Sequence, residues 1–129
     1  MASIFSKIIA GDIPCHRIAE NDEFLAFLDI SPLAEGHTLV IPKNEVDYFF
    51  DLDAGLLSRI NLFARDVALK IEAVIPCKRV GVAVIGLEVP HAHMHLIPLQ
   101  NVADINFKRP KLSFTPEELA ATAERIKAA

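Results

Sequence analysis

The segment His91-Ala92-His93-Met94-His95-Leu96-Ile97-Pro98 places three of the chain's five histidines at every second position, with apolar residues between them. Successive side chains of a β-strand point to opposite faces, so the three imidazoles would share one face at a spacing of roughly 7 Å. Ala92, Met94 and Leu96 would pack beneath them. The pattern therefore predicts a strand, over residues 91–99, that carries a row of groups titrating near neutral pH on one surface.

Three uses of this row stay open on the residues alone. The histidines form the polar face of an ordinary strand, they ligate zinc with His37 as a further ligand, or they act in nucleophilic or acid–base catalysis. Solvent-facing strand positions usually carry Thr, Lys, Glu or Arg, which disfavours the first use. Cys15 and Cys77 are isolated, which weakens the second. A neutral imidazole is a competent nucleophile toward phosphorus or acyl carbon, so the pattern favours the third.

Length and composition predict one compact domain and exclude some partners. The chain has 129 residues, of which 52% are hydrophobic, and its net charge is −4 with histidine neutral. It has no basic stripe, so we expect no nucleic acid polymer as partner, although a single nucleotide remains possible. No apolar run reaches membrane-spanning length, and residues 1–13 lack a signal-like pattern. We expect a cytoplasmic protein with no membrane segment.

The order of predicted elements favours an α+β domain with an antiparallel sheet. Strands occur in consecutive runs rather than alternating with helices, which is typical of antiparallel pairing. Asp53 is a plausible N-cap of the long central helix, and Thr115 of the C-terminal helix. The predicted elements are a short helix over residues 4–9, strands over 17–20, 24–30 and 37–41, the central helix up to Pro76, strands over 80–85 and 91–99, and the terminal helix from residue 116 to 128.

Several blocks of the sequence resemble a known family. Residues 91–97 match the His-φ-His-φ-His-φ-φ signature of the histidine triad (HIT) superfamily, where φ is apolar. The likeness covers about residues 3–99, is similar to the bacterial Hint-like branch, and implies a HIT-like fold and a homodimer. Residues 1–129 would then be a single HIT domain with a C-terminal extension over 100–129. The other matching blocks, in family order, are Ile4-Phe5 with Lys7-Ile8-Ile9, Asp12-Ile13-Pro14, residues 26–32 and residues 36–43.

The resemblance implies an enzyme that works without a cofactor. Its substrate would be a purine nucleotide cleaved at the α-phosphate: a phosphoramidate, a dinucleoside polyphosphate or an adenylate. His93, the middle histidine, would be the nucleophile and form a nucleotidyl-histidine. His95 would donate to phosphate oxygens or to the leaving group, and the main-chain carbonyl of His91 would fix the tautomer of His93. His37 would support the triad through hydrogen bonds.

The resemblance also implies a set of nucleotide-binding residues. Asp29 interrupts an apolar run, and in the family this aspartate binds the ribose hydroxyls; the alternative is a cap on the turn at Ser31-Pro32. The hydrophobic matches would line the nucleobase slot, although each is equally suited to an ordinary core. The residues assigned to nucleotide binding are Asp29, Phe5, Ile8, Ile13, Phe27, Ile30, Glu88 and Val89.

One departure from the family pattern concerns zinc. Many members carry Cys-x-x-Cys near the N-terminus, which helps to bind structural zinc, whereas this chain has Ser3-Ile4-Phe5-Ser6. A further family ligand position holds Glu45. Serine hydroxyls are poor zinc ligands. We therefore predict no bound metal.

A second departure concerns phosphate contacts. The loop ahead of the triad is shortened to residues 85–90, and Glu88 stands where the family has a small polar residue that donates to phosphate. A carboxylate there would repel phosphate unless it points away, pairs with a cation or is protonated. This favours, as the alternative function, a nucleotide-binding or regulatory module with little turnover. The extension would pack on the domain or on a second subunit, or fold back so that Lys108, Arg109 or Lys111 reaches the phosphates.

Overall fold

The computed structural model describes residues 2–129 and has an α+β architecture, as predicted. Its sheet is antiparallel throughout, with strand order β1-β2-β3-β5-β4. Two short 3-10 turns cover Phe49–Asp51 and Val102–Ile105. The helices are α1 (Ile4–Ile9), α2 (Ala54–Val74) and α3 (Pro116–Lys127), and the strands are β1 (Arg17–Glu20), β2 (Phe24–Leu28), β3 (Thr38–Pro42), β4 (Arg79–Ala83) and β5 (Met94–Leu99).

Both faces of the sheet are covered, which explains why β2 and β3 are buried at every position rather than at alternate ones. Phe24, Ala26 and Leu28 of β2 belong to the larger core, which α2 and α3 cover. Leu25 and Phe27 belong to the smaller core beneath α1. Burial of each large side chain contributes roughly 1.5–3 kcal/mol. The smaller core is the one that adjoins the histidines.

Side-chain caps define where the helices begin. The Asp53 carboxylate accepts from Leu56 N–H at 2.8 Å, and Thr115 forms a reciprocal capping box with Glu118, so both predicted caps are confirmed. Ser3 caps α1 by accepting from Ser6 N–H. α3 begins with Pro116 and buries Leu119, Ala123 and Ile126 in the larger core, against the same sheet face as α2.

The histidine segment differs from the predicted strand. β5 begins at Met94, because the amides of His91 and Ala92 bond to the carbonyls of Val89 and Val46 instead of to β4. The other predicted strand of this hairpin also ends early, at Ala83 rather than residue 85, so ten residues connect β4 to β5. The hairpin is antiparallel as expected. The longer connection gives the loop before β5 enough length to border the site.

None of the helices within residues 2–129 combines the length and apolar composition that crossing a bilayer requires.

Candidate active site

Four histidines gather on the α1 face of the sheet. β3 and β5 lie side by side with Leu39 opposite His95, which brings His37 next to the triad. The rings of His93 and His95 have centroids 5.1 Å apart, and those of His37 and His95 lie 5.2 Å apart. Ala92, Met94 and Leu96 pack beneath in the larger core, as predicted. The prediction of a surface row was wrong, because His37, His91, His93 and His95 are all at least 92% buried.

The hydrogen bond of His93 fixes its tautomer. Its Nδ1 lies 2.7 Å from the main-chain carbonyl oxygen of His91, and a carbonyl can only accept. Nδ1 therefore carries the proton, and Nε2 of the neutral ring carries a free lone pair. The Phe5 ring packs edge-on against His93, with centroids 5.1 Å apart, and holds its orientation.

A relay that starts at the backbone fixes the tautomer of His95. The N–H of Leu33 donates to Nδ1 of His37 at 3.0 Å, so the proton of the neutral His37 ring is on Nε2. That Nε2 donates to Nδ1 of His95 at 3.0 Å. Nδ1 of His95 is thus an acceptor, and its proton must be on Nε2. The site therefore contains two groups that could contact a ligand: the Nε2 lone pair of His93 and the Nε2–H donor of His95.

Burial favours the neutral form of His37, His95 and His91. It lowers the pKa of His37 to about 3, with smaller contributions from His95 and from the Lys111 ammonium. It also lowers the pKa of His95 to about 4, where His93 and Lys111 add to the effect. The pKa of His91 is lowered by burial as well. The 3.6 Å approach of Asp29 Oδ2 to His37 Nε2 is therefore a contact with a neutral ring at neutral pH, not an ion pair.

His91 is held by the residues that replace the family's zinc ligands. Its Nε2 donates to the carbonyl of Pro42 at 2.8 Å, so its Nδ1 accepts from the Ser3 hydroxyl at 2.8 Å. Glu45 Oε1 accepts from Ser3 N–H at 2.7 Å and from the Ser6 hydroxyl at 2.6 Å. The Ser6 hydroxyl and the Ser3 amide lower the pKa of Glu45 to about 2. Hydroxyls are poor zinc ligands, and both ring nitrogens of His91 are in use, so this group does not fit structural zinc.

Another group of residues has the composition of a metal site. Asp29, His37 and His95 each offer a ligand-type atom, and these atoms lie within 4.8 Å of one another. The hydrogen bonds of His37 already occupy both of its ring nitrogens. A cation would have to displace the bond that orients His95. The geometry favours a hydrogen-bonded relay over a metal centre.

An apolar cavity of about 260 Å³ opens beside the triad. Every residue assigned to nucleotide binding from the sequence lines it, and His93 and His95 stand at its inner end. Phe5 and Phe27 meet edge-on with ring centroids 5.7 Å apart, while Ile30 is 70% exposed at the rim. The sequence prediction missed several lining residues, which have no distinguishing pattern; they are Ile4, Pro14, Cys15, Leu28 and Leu39.

Asp29 is among the residues that line this cavity. Its Oδ1 accepts from Ser31 N–H at 2.8 Å, which is the turn cap considered from the sequence. Burial raises its pKa, against the lowering effect of the Ser31 bond. The cap uses Oδ1, and Oδ2 lies 3.6 Å from His37 Nε2. Ribose binding by this carboxylate stays a prediction.

A second cavity, of about 290 Å³, adjoins the first at His93 and His95. Its wall includes Lys111, which belongs to the C-terminal extension, and the exposed side chain of Glu88. The Phe107 ring also lines it and packs against His95, with centroids 4.7 Å apart. Phe107 was not anticipated, because a lone aromatic residue in a polar segment carries no periodic signal. The two cavities share Asp29, Glu88, Val89, His93 and His95.

Comparison with known proteins identifies relatives of this arrangement. Over nearly its full length, the chain is 36% identical to adenosine 5′-monophosphoramidase of Schizosaccharomyces pombe, covering 98% of this chain and 96% of the relative. A Hit-like protein from Bartonella henselae, described as involved in cell-cycle regulation, has a solved structure that superposes with a TM-score of 0.83 at 30% identity, covering 98% and 95% of the two chains.

A zinc-bound histidine triad protein from Mycobacterium smegmatis also has this fold, with a TM-score of 0.81 at 25% identity over 99% of this chain and 92% of that one. The family model described as the HIT domain matches residues 10–102, which include all four clustered histidines. The chain therefore belongs to the histidine triad superfamily.

Proposed function

We propose that this protein hydrolyses a purine nucleotide at the α-phosphate, or transfers the nucleotidyl group, through a covalent intermediate on His93. The observation that carries the proposal is the bond from His93 Nδ1 to the carbonyl of His91. That bond leaves the Nε2 lone pair free where the two cavities meet. A neutral nitrogen nucleophile suits an anionic phosphate, because a charged nucleophile would be repelled.

The reaction would proceed in two displacements. In the first, Nε2 of His93 forms a bond to the α-phosphorus as the bond to the leaving group breaks. In the second, water attacks the phosphorus, the N–P bond breaks, and the nucleoside monophosphate is released with the imidazole regenerated. The first cavity would hold the nucleoside, with Asp29 accepting from the ribose hydroxyls. The second would hold the leaving group.

His95 acts in this proposal as a hydrogen-bond donor rather than as a proton source. Its Nδ1 already accepts from His37, so loss of the Nε2 proton would leave an imidazolate. A donor fixed in a buried site stabilises the charge that builds on the phosphoryl oxygens in the transition state. The leaving group takes its proton from water.

The name of the S. pombe relative, adenosine 5′-monophosphoramidase, supplies the first test substrate. The protein should release AMP from adenosine 5′-phosphoramidate, and quenched samples should contain protein heavier by one AMP residue. The His93→Ala variant should lose turnover, by at least roughly a thousandfold, yet still bind AMP. A variant that retains the wild-type rate would eliminate His93 as the nucleophile. Replacement of His16, which lies outside both cavities, is the matched control.

A nucleotide-binding module with little turnover is the second candidate function, and the observation that favours it is Glu88. This carboxylate lines both cavities beside the histidines, where it would repel a phosphate. The same incubation separates the candidates. AMP binding without AMP release would support the module, and release at an enzymatic rate would support the hydrolase. Replacing Glu88 with Gln should raise the affinity for AMP under either candidate.

The homodimer implied by the family resemblance remains a proposal, supported by the edge of the sheet. β4 is an edge strand, and Val82 on it is 58% exposed. The neighbouring loops expose Phe50 at 70% and Leu87 at 88%. Exposed apolar surface at a sheet edge suits a second copy of the chain. Light scattering after gel filtration should give twice the chain mass, and Val82→Lys should shift it toward the monomer. A monomeric wild-type mass would contradict the dimer.

A further inference from the structure

The C-terminal extension forms part of the second cavity. Leu112 N–H donates to the carbonyl of Pro32 at 2.8 Å, which ties the segment to the loop after β2. Phe107 packs against the rings of His95 and His37, with centroid distances of 4.7 and 6.2 Å. The extension therefore covers the donor histidine within the second cavity. Phe107 and Lys111 line the cavity that would hold the leaving group.

Lys111 is the cation that this segment supplies to the site. Its ammonium donates to the main-chain carbonyl of Phe107 at 2.6 Å and lies 5.8 Å from the centroid of the Phe107 ring. A carbonyl bond and a cation–π contact orient the ammonium without neutralising its charge, which also acts to lower the pKa of Asp29 in the wall of the same cavity. The ammonium charge acts electrostatically on the histidines, because Lys111 contributes to the lowered pKa of both His37 and His95.

The other basic residues of the extension do not line this cavity. Arg109 is paired with Asp104 at 3.1 Å and donates to the carbonyl of Ala103. Lys108 is exposed, with its amide on the Asn106 side chain. Of the three cations considered from the sequence, Lys111 is thus the one at the cavity wall. Lys111 and the histidine triad belong to the same chain, so the position of Lys111 at the cavity does not depend on a second subunit.

We propose that Lys111 selects the leaving group, and that it favours a phosphate chain over an amine; this inference rests on the proposed function. When a dinucleoside polyphosphate is cleaved, the bond from His93 to phosphorus forms while the P–O bond breaks. The electron pair stays on the terminal oxygen of the departing nucleotide. An ammonium in the second cavity stabilises that added charge, whereas an amine leaving group takes a proton from water as the P–N bond breaks and departs uncharged. Glu88, which lines the same cavity, works against Lys111, so the two side chains set the preference together.

The test compares two substrates with the same adenosine monophosphate portion. Diadenosine triphosphate releases ADP, and adenosine 5′-phosphoramidate releases ammonia. Lys111→Gln should lower the ratio of kcat/KM for the triphosphate to that for the phosphoramidate by roughly tenfold or more. Lys111→Arg should retain most of the ratio, because it keeps the charge. Lys108→Gln, a neighbouring exposed lysine, should leave it unchanged. An unchanged ratio in Lys111→Gln, or an equal fall in Lys108→Gln, would overturn the inference.

A binding measurement separates this inference from the proposed function. The His93→Ala protein should bind ADP more tightly than AMP, because the β-phosphate enters the second cavity beside Lys111. Adding Lys111→Gln should abolish that difference, whereas Lys108→Gln should preserve it. If the wild-type protein hydrolyses neither substrate, the proposed function fails and this comparison alone decides about Lys111. Equal affinities for ADP and AMP in all three proteins would contradict the proposed role of Lys111 in selecting the leaving group.

Discussion

His37 and His95 are joined by a hydrogen bond from Nε2 of the first to Nδ1 of the second, 3.0 Å long and shielded from solvent. The bond spans 58 residues of sequence, and its direction is set by the Leu33 amide on the far side of His37. It determines which nitrogen of His95 faces the cavity with a proton. One backbone N–H is therefore coupled, through two rings, to the donor that would contact phosphate.

Replacing His37 with Leu should impair His95. The variant leaves Leu33 N–H without its acceptor and releases His95 to adopt the other tautomer. We expect kcat to fall roughly a hundredfold with a smaller change in KM, and stability to drop by about 1–3 kcal/mol. Imidazole nitrogen chemical shifts should report a protonated Nε2 on His95 in the wild type. His16→Leu, outside both cavities, is the control; a wild-type kcat in His37→Leu would refute the relay.

Acidification should destabilise the protein through its buried histidines. The pKa of His37 falls from 6.5 to about 3, and that of His95 to about 4. Below pH 6.5 the unfolded chain binds protons that the folded chain does not, so stability is complete above that pH and declines as the pH falls toward 4. Each fully shifted histidine contributes about 1.4 kcal/mol per pH unit. Asp29, whose pKa is raised by burial, acts in the opposite direction.

Urea unfolding at pH values between about 7.5 and 4.5 measures this slope. Carboxylates with lowered pKa, such as Glu45, begin to contribute only below 4.5, so the histidines dominate the interval above it. The His37→Gln variant should show a shallower decline than the wild type. Parallel curves for the two proteins would mean that His37 is not buried in its neutral form.

Changing Ser3, Ser6 and Glu45 to the residues that the family has at these positions should create a zinc site. Ser3 and Ser6 contact His91, and Glu45 bonds to both serines. We expect the triple variant Ser3→Cys, Ser6→Cys, Glu45→His to bind one zinc per chain, whereas the wild type purified without affinity metals should hold none. Elemental analysis and thermal shift with added chelator provide the measurement. Stoichiometric zinc in the wild type would contradict the assignment.

Gly36 should be intolerant of a side chain for two separate reasons. Its φ is +89°, and a Cβ would lie 2.9 Å from Cγ1 of Ile75. Gly11 has a similar φ of +85° but nothing within 4 Å of a Cβ, so it is the matched control. Gly11→Ala should cost about 1–2 kcal/mol from backbone strain alone, and Gly36→Ala should cost more. Equal losses in urea unfolding would show that Ile75 yields without penalty.

Much of the fold could be predicted because its signals are local. Caps at Asp53 and Thr115, the turn at Gly11 and the helical stripe of α2 depend on residues a few positions apart. The histidine strand was placed three residues too early, since alternation continues through residues 91–93 although their amides bond elsewhere. Periodicity indicates which face of a strand a side chain lies on, but not which residue forms a hydrogen bond with its backbone amide.

The sequence by itself determined the element order, the antiparallel sheet, the apolar slot and the grouping of histidines, because each follows from spacing or from blocks that match a family. The tautomer of His93 was expected from the family resemblance, and its bond to the His91 carbonyl is present. Only the tertiary structure decided the tautomer of His95, the bond of Ser3 to His91 and the position of Lys111 and Phe107 beside His95. Ser3 and His91 are 88 residues apart. Contacts of that kind form only when separate elements pack together, so a pattern of neighbouring residues does not predict them.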